Sequence, residues 1–453
     1  MSTPVLTVTS PFTQAYFEDL AAVLDRSLRA GEFYTACLSA ETSDFVRLNH
    51  GKVRQPGSVS QCYLDIDLIA GQRHATQRLA ITGMLGHDSD TLAHLLRELR
   101  DVLPGMSEDP HLLYSTTLAS STTVRDAPLP PAEIIVDEVL EAGRGHDLVG
   151  IYAGGPVMRG FANALGQRNW HESTCFGLQW SLYHRADKAV KTAISGFTWE
   201  PSVLGERMRE AQAQLSMIAL PARALAPGDY RVFLAPAAME EIAGMLQWGG
   251  FSARALATQQ SSLARMRGPD GLRLDSRVTM REDTGNGVAP AFQSAGFMRP
   301  ASVSLIEEGR LVGALASPRS AREFGIEGNG ANVEEMPESL AIAGGDLAAA
   351  EALAVLDRGL YVGNLWYLNY SDRPACRITG MTRFATFWVE GGRIVAPVDV
   401  LRFDDTLFRM FGDHLEALTR ETELRLDANT YMQRSLSSTR VPGALLSKMT
   451  FTL

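Results

Sequence analysis

Paired strand-like segments joined by glycine-containing turns place the strongest limit on the fold of this chain. Residues 45–57 alternate around an Asn-His-Gly turn, and residues 60–83 form a second pair that turns near Gly71. Two later segments, 301–315 and 384–403, each contain a Glu-x-Gly turn between apolar strands. Such patterns are typical of β-hairpins, whose strands are antiparallel. Because no alternation of strands and helices indicates parallel βαβ units, the sequence predicts an α+β fold with mainly antiparallel sheets.

The first part of the chain contains a similar order of elements twice. A helical pattern over residues 11–30 precedes hairpins and a further helix, and a proline-led helix, more strands and a helix over 201–218 follow. The strand endings "LAITG" (79–83) and "TAISG" (192–196) match. This recurrence indicates either an internal duplication of a helix plus an antiparallel sheet or a chance similarity of short strands, and both interpretations stay open.

A segment rich in proline divides the chain in two. Residues 219–230 hold two prolines and a glycine between a polar helix and a new series of strands. Such breaks are typical of domain boundaries. We therefore predict an N-terminal α+β domain over residues 1–218 and a strand-rich C-terminal domain over residues 219–453.

Composition limits the possible partners and the compartment. Among 453 residues, 42 lysines and arginines face 52 acidic residues, a net charge of −10, so the chain does not favour direct contact with nucleic acid. We expect no signal peptide and no membrane span, because a basic start followed by an apolar core and a long uncharged apolar window are both missing. The four cysteines form no C-x-x-C pair, which suits a reducing cytoplasm.

The segment 237–247 follows a strand-like run and reads as a short helix with two adjacent carboxylates, Glu240 and Glu241. One interpretation is structural: the acidic residues lie in the first turn, where they favour the helix dipole, while Met245 and Leu246 face a core. The other is catalytic: Glu240 binds zinc and Glu241 is the base for a metal-bound water. Met245 would be a poor zinc ligand, because its thioether is soft and neutral.

Three further segments contain residue types that carry out chemistry elsewhere. The acidic, glycine-containing residues 280–287 could hold a metal or a phosphate, although a polar turn between strands explains them as well. His171 and Cys175 could form a base and a nucleophile, but in a strand they would be too far apart for contact, which favours packing. Cys376 follows a proline in a predicted loop, and a single thiol is weak support for a metal site.

Five segments in the same order resemble the TldD/PmbA family, bacterial and archaeal proteins grouped as zinc peptidases. Each motif is loose, but the order and the spacing are specific together, and they extend over most of the chain. The segments are "DFVRLNHGKVRQPGSVSQ" (44–61), "FLAPAAMEEIAGMLQW" (233–248), "GVAPAFQSAGF" (287–297), "ALASPRSAREFGIEGNG" (314–330) and "TGMTRFATFWVEGGRIVAPVDVLRFDDTLFRMFGD" (379–413).

The resemblance implies that this chain is the kind of family member that lacks the zinc motif. Metal-binding members carry H-E-x-x-x-H on the corresponding helix and a later cysteine ligand. Aligned on Gly244, Glu240 and Met245 replace the two histidines, and Glu241 stands at the catalytic glutamate. Cys376 lies near the late cysteine, but the glycine-rich surroundings are missing, so no ligand role is carried over. Positions 240 and 245 are about 140° apart on an ideal helix, so their convergence on a metal would require the helix to end or distort near Gly244.

The expected function follows from this resemblance to the TldE/PmbA subunit. We expect a cytoplasmic, non-metal subunit of a TldD/TldE-type metallopeptidase that acts on unfolded or modified peptides. No cofactor is predicted in this chain, and zinc is expected in a TldD-type partner. The alternative is a stand-alone homodimeric peptide-binding or regulatory protein without hydrolytic activity. A third possibility is an independent hydrolase that uses Glu240, Glu241 and Cys376 for an unusual metal. Older family naming mentions DNA gyrase, but the net charge gives no support for DNA contact.

Overall fold

A computed structural model describes residues 10–185, 188–268 and 271–453. Its N-terminal part is one mainly antiparallel sheet covered by helices. In chain order its elements are α1 (Gln14–Ser27), β1 (Glu32–Asn49), β2 (Lys52–Ala70), β3 (Arg73–Ala80), α2 (Leu85–Val102), β4 (Ser121–Arg125), α3 (Ala132–Ala142), β5 (Asp147–Asn163), β6 (Arg168–Arg185), β7 (Lys188–Gly196) and α4 (Pro201–Ile218).

The order helix, three strands, helix occurs twice in this part. The first unit runs from α1 to α2 and the second from α3 to α4, and the sheet joins them through the antiparallel pair β1–β5. Each unit buries its own apolar cluster, one beneath α1 and α2 and the other beneath α3 and α4. The strand β4 lies outside this repeat and pairs in parallel with β6.

The C-terminal part is a second, larger sheet with short helices. Its elements are β8 (Gly228–Leu234), α5 (Pro236–Gln247), α6 (Ala253–Ala257), β9 (Met280–Glu282), β10 (Val303–Glu307), β11 (Arg310–Leu311), α7 (Pro318–Phe324), β12 (Ser339–Ile342), α8 (Ala352–Leu356), β13 (Gly359–Asp372), β14 (Arg377–Glu390), β15 (Arg393–Pro397), β16 (Arg402–Thr406), β17 (Leu415–Leu426) and β18 (Ser438–Phe451).

The strand β8 closes part of this sheet into a ring. It pairs in parallel with β13 and antiparallel with β18, while β14 and β16 complete the circuit between those two strands. The largest apolar cluster of the protein fills the space that these strands and α5 enclose. The predicted α+β class with mainly antiparallel sheets is confirmed, and the turns expected at His50-Gly51 and at Gly71 lie between β1 and β2 and between β2 and β3.

The connection between β17 and β18 fastens the C-terminal part to the first sheet. Arg434, only 6% exposed, donates to the carbonyl oxygens of Gly155 at 2.9 Å and Cys175 at 2.8 Å. Glu41, also buried, accepts from the backbone N–H of Arg434 and from the Ser43 hydroxyl. The first sheet takes its strands from before residue 219 and the second takes its strands from Gly228 onward, and the domain boundary in the segment 219–230 stays a prediction. Within the described ranges, no helix is long and apolar enough to cross a membrane.

Candidate functional site

A polar cavity of about 660 Å³ lies where the two parts of the chain meet. Gln179 of β6 and Lys191 of β7 contribute to its wall from the first sheet, and α5 contributes one face from the C-terminal part. The remaining lining comes from the segment 332–338, from Asn364 and from the facing ends of β17 and β18. Because both sheets supply side chains, the cavity depends on the tertiary docking of the two parts.

The helix α5 separates the cavity from the C-terminal core. Its buried residues share one face, and they are Ala238, Met239, Ile242, Ala243, Met245 and Leu246. The cavity face holds Ala237, Glu240, Glu241, Gly244 and Gln247. This division follows the 3.6-residue period of an amphipathic helix.

The helix begins at Pro236, a residue suited to the first helical position because its missing N–H has no partner there in any case. The first turn therefore holds no acidic residue and no side-chain cap. The expectation that Glu240 and Glu241 lie in the first turn is wrong, because they are the fifth and sixth residues of a helix that starts at Pro236. A dipole effect, which decays within the first turn, does not explain these two carboxylates.

Two polar contacts hold α5 against the strands β17 and β18. Glu240 accepts from Nε of Arg425 at 2.8 Å, and Gln247 donates to the Thr439 hydroxyl at 2.9 Å. Arg425 and Thr439 are opposite each other in the β17–β18 ladder, so one cross-strand pair receives both helix residues. Glu240 is consequently a member of an ion pair and has one face toward the cavity.

Glu241 differs from its neighbour because its carboxylate has no ion-pair or hydrogen-bond partner among the described residues. Its side chain opens into the cavity. Surrounding protein raises the pKa of Glu241 above its usual range, and the charge of Glu240 adds to that effect. The positive charges of Lys191 and Arg425 oppose the rise. This carboxylate is therefore available to a ligand, either as a hydrogen-bond acceptor or as a proton carrier.

Met245 and Cys376, which align with or lie near the ligand positions of metal-binding family members, are not among the residues that line the cavity. Met245 is 5% exposed and packs in the core, as the structural interpretation of the helix predicted. The helix continues to Gln247, so it neither ends nor distorts near Gly244. Cys376 is fully buried in a turn within the same core cluster, and burial raises the pKa of its thiol to about 12. The structure does not bring Met245 or Cys376 together with Glu240 and Glu241.

The cavity wall at residues 332–338 is anchored from behind. Glu335 is fully buried, with φ of +55°, and points away from the cavity while its neighbours line it. Its carboxylate accepts from the Ser252 hydroxyl at 2.6 Å, the Arg254 N–H at 2.9 Å, and the N–H and hydroxyl of Ser317 at 2.8 Å each. Ser252 and Ser317 are the N-caps of α6 and α7. One carboxylate thus fixes the starts of two helices and the wall.

A second buried carboxylate supports the end of this wall. Glu282 accepts from the N–H groups of Glu338 and Ser339 through one oxygen, whereas its other oxygen has no partner among the described residues. Burial is the main reason that the pKa of Glu282 rises to about 7, and the nearby charge of Arg299 limits the rise. Arg299 also forms an ion pair with Glu338, which lines the cavity.

The other sequence candidates do not join this site. The ring of His171 contacts the Val288 carbonyl at 2.9 Å, and burial lowers its pKa to about 4. Cys175 lies 3.0 Å from the Arg434 guanidinium, so His171 and Cys175 have separate partners, as strand geometry indicated. Residues 280–287 form the short strand β9 and a polar turn, in which Asn286 donates to Asp283.

The donor set does not fit the zinc ion that family resemblance associates with this helix. Across the described ranges, no group of three or more His, Cys, Asp or Glu side chains is arranged to hold a metal. The polar side chains on the cavity face of α5 are two carboxylates and the Gln247 amide, and Glu240 is already paired with Arg425. A catalytic zinc site takes three protein ligands and keeps one position for water.

Sequence reasoning missed most of the cavity. Lys191, Asn364 and Arg425 come from three strands that are distant in sequence, and the segment 332–338 belongs to none of the motifs. No local pattern announces residues that only tertiary docking brings together. The strand order of the two sheets was the missing information.

Comparison with known proteins identifies the family. Residues 227–453 match the family model of the PmbA/TldA metallopeptidase C-terminal domain. TldE from Thermococcus kodakarensis has a similar fold, with a TM-score of 0.76 and 14% identity over 97% of this chain and 100% of that chain. A proposed modulator of a DNA gyrase from Thermotoga maritima gives a TM-score of 0.72 and 15% identity over 97% of this chain and 100% of that one.

A proposed modulator of DNA gyrase from Bacteroides thetaiotaomicron gives a TM-score of 0.73 and 16% identity, over 97% of this chain and 99% of that one. A comparison with curated proteins found no match. At these identities the three structures establish the fold over nearly the whole chain. The family model covers half of the chain, so this protein belongs to the PmbA/TldD family.

Proposed function

We propose that this chain is the non-metal, TldE-type subunit of a cytoplasmic TldD/TldE-type metallopeptidase that acts on unfolded or modified peptides. A TldD-type partner would bring the zinc ion and the hydrolytic chemistry. This chain would contribute a polar cavity that holds and orients part of the substrate.

The composition of the cavity face of α5 carries this proposal. Glu240, Glu241 and Gly244 occupy that face, and the side chain aligned with the second zinc ligand, Met245, is in the core. The family-typical helix is therefore retained as a wall, with one carboxylate paired and one carboxylate open. Such a wall can bind polar groups of a peptide, but it lacks the imidazoles that a zinc-activated water requires.

The rest of the lining suits a peptide of varied sequence. Gln179, Gln247 and Asn364 present amide groups, each of which can both donate and accept. Lys191 and Glu241 carry opposite charges and line the cavity from its two sides. Lys191 can therefore pair with the carboxylate of a peptide and Glu241 with its amino group. Amide groups read the peptide backbone without selecting side chains, which fits a broad substrate range.

The test combines the chain with a TldD-type protein that carries H-E-x-x-x-H. We expect the two proteins to co-elute in sizing with light scattering, and we expect hydrolysis of an unfolded peptide only by the mixture. Metal analysis after dialysis should find zinc in the complex and less than stoichiometric zinc in this chain alone. Zinc bound tightly by the isolated chain, or hydrolysis without the partner, would contradict the proposal.

A pair of variants separates the role of the cavity from mere assembly. Glu241→Gln should raise the KM of the mixture for peptide while leaving complex formation intact, because it removes an open carboxylate. Glu206→Gln changes an exposed carboxylate of α4 outside the cavity and is the matched control. If the chain dimerises with itself, binds peptide and ignores the TldD-type protein, the stand-alone regulatory function is correct instead.

A further inference from the structure

Half of the strand β2 has a free edge. Its residues 63–70 pair with β1 on one side and with β3 on the other. Residues 52–61 also pair with β1, but β3 ends at Ala80 and the chain turns toward α2, so no described strand covers their other side. These residues are almost all exposed.

The second unit of the repeat shows what this kind of edge accepts. There β7 covers the later half of β6, just as β3 covers the later half of β2. The earlier half of β6, at residues 169–173, is covered by the added strand β4. The first unit has no counterpart of β4 among the described residues, so the equivalent half of β2 is left open.

The backbone of this edge is aligned for a further strand. Pro56 pairs with Val46, and its missing N–H is tolerated because that position faces away from β1. By alternation, Ser58 and Ser60 direct their N–H and C=O groups to the same open side. The next residue in this phase, Cys62, confirms the direction, since its carbonyl oxygen accepts from the Ile81 N–H beyond β3 at 2.9 Å.

Positive charge surrounds the start of this edge. Arg47, Lys52 and Arg54 are exposed, and none of them has an ion-pair or hydrogen-bond partner among the described residues. Arg54 is also the extra residue of a β-bulge, since Arg47 is opposite Gln55 and Leu48 is opposite Val53. These three cations, without partners in the described part of the chain, lie on one hairpin tip although the net charge of the chain is −10. The charge complements an acidic occupant.

We propose that residues 52–61 of β2 bind an extended acidic segment of a protein partner by strand addition, in the place that β4 fills in the second unit. Main-chain hydrogen bonds would hold the segment, and Arg47, Lys52 and Arg54 would select carboxylates. The chain's own residues 1–9 contain no acidic residue and could not neutralise these cations. Charged and proline residues also protect edges from aggregation, and binding measurements distinguish the two roles.

The experiment uses the full chain and a fluorescent peptide of alternating Glu and Thr, followed by anisotropy. A peptide of alternating Lys and Thr should bind at least about tenfold more weakly, since three exposed ion pairs reverse sign. The double variant Lys52→Glu/Arg54→Glu should lose binding of the acidic peptide by about tenfold. Arg310→Glu is the control, because Arg310 is exposed on β11 of the other sheet and has no ion-pair or hydrogen-bond partner among the described residues.

Backbone methylation tests strand addition itself. Two versions of the acidic peptide carry N-methyl groups on alternate amides, one in each phase, and only the phase that faces β2 should lose binding. Equal binding of the two methylated peptides would overturn the proposal in favour of a non-specific site for polyanions. Displacement of the fluorescent peptide by heparin as effectively as by the unlabelled acidic peptide would do the same. A variant that begins at Ser10 tests the chain's own N-terminus. If the acidic peptide binds this variant but not the full chain, residues 1–9 occupy the edge and the proposal is overturned. Loss of self-association in the double variant, without peptide binding, would assign the edge to a second copy.

Discussion

Replacing Glu335 is the sharpest test of how the cavity wall is held. The carboxylate accepts four hydrogen bonds from Ser252, Arg254 and Ser317, and it is fully buried. A hydrogen bond to a charged group contributes about 1.5–3 kcal/mol. The two serine hydroxyls remain helix caps after the substitution. The loss of stability therefore comes mainly from the two backbone N–H groups that no longer have an acceptor. We expect Glu335→Ala to lower the free energy of unfolding by about 4 kcal/mol and Glu335→Gln by about 2 kcal/mol.

The pH dependence gives this prediction a second readout. Hydrogen bonds outweigh burial and hold the pKa of Glu335 below its usual range. A lowered folded-state pKa stabilises the protein above the unfolded pKa, and this stability is lost as the pH falls through the folded value. The gap between the wild type and Glu335→Gln should therefore close on acidification below about pH 4.5.

Urea unfolding at several pH values measures both effects. The control is Glu334→Gln, because Glu334 is the exposed neighbour with no partner among the described residues, and it should change stability by less than about 0.5 kcal/mol. A loss below about 1 kcal/mol for Glu335→Ala, or a gap that widens in acid, would show that the carboxylate does not anchor the wall.

Three further predictions concern the helix α5, the support behind the wall and the junction of the two sheets. The double variant Glu240→His/Gly244→His puts two imidazoles one turn apart on the cavity face. It should bind zinc more tightly than Glu240→His/Met245→His, because the second imidazole of that variant lies in the core. Competition with a chelator measures the two zinc affinities, and the opposite ranking would refute the orientation of the helix. The pKa of Glu282 is raised to about 7, so between about pH 4.5 and 7 the folded state holds a proton that the unfolded state has lost. The free energy of unfolding should therefore fall by up to about 3 kcal/mol as the pH rises through this range. Glu282→Gln should flatten that decline in urea titrations. A steeper decline in the variant would contradict this sign. Arg434→Ala should lower the free energy of unfolding by about 3 kcal/mol, because it leaves buried carbonyl groups without a donor. A change under about 1 kcal/mol would show that other contacts hold the two sheets together.

Local patterns in the sequence were sufficient for the elements but not for their assembly. The hairpins at His50-Gly51 and Gly71 were predictable, because alternation and turn residues are neighbours in the chain. The burial of Met245 followed from its place in the helical period. The start of α5 was misjudged because Pro236 was taken as the end of the strand rather than as the first helical residue.

The long-range features had no local signal. The parallel addition of β4 to β6 and the closure of β8 onto β18 depend on pairings between distant segments. The ion pair of Glu240 with Arg425 joins residues that are 185 positions apart. Family resemblance aligned the helix α5 with the metal motif of the family, but only the three-dimensional arrangement revealed which of its residues face the cavity.

The location of the cavity at the junction has a consequence for finding its ligand. A molecule that fills the space touches both parts of the chain at once, so its binding energy adds to the energy that keeps the two sheets docked. Mass action then raises the apparent stability by RT ln(1 + [L]/Kd), which is about 2.7 kcal/mol at a ligand concentration of one hundred times Kd. A thermal-shift screen of peptides can therefore identify cavity ligands without any knowledge of the reaction. Arg434→Ala should reduce the thermal shift that these ligands produce, because it weakens the docking of the two sheets on which the cavity depends.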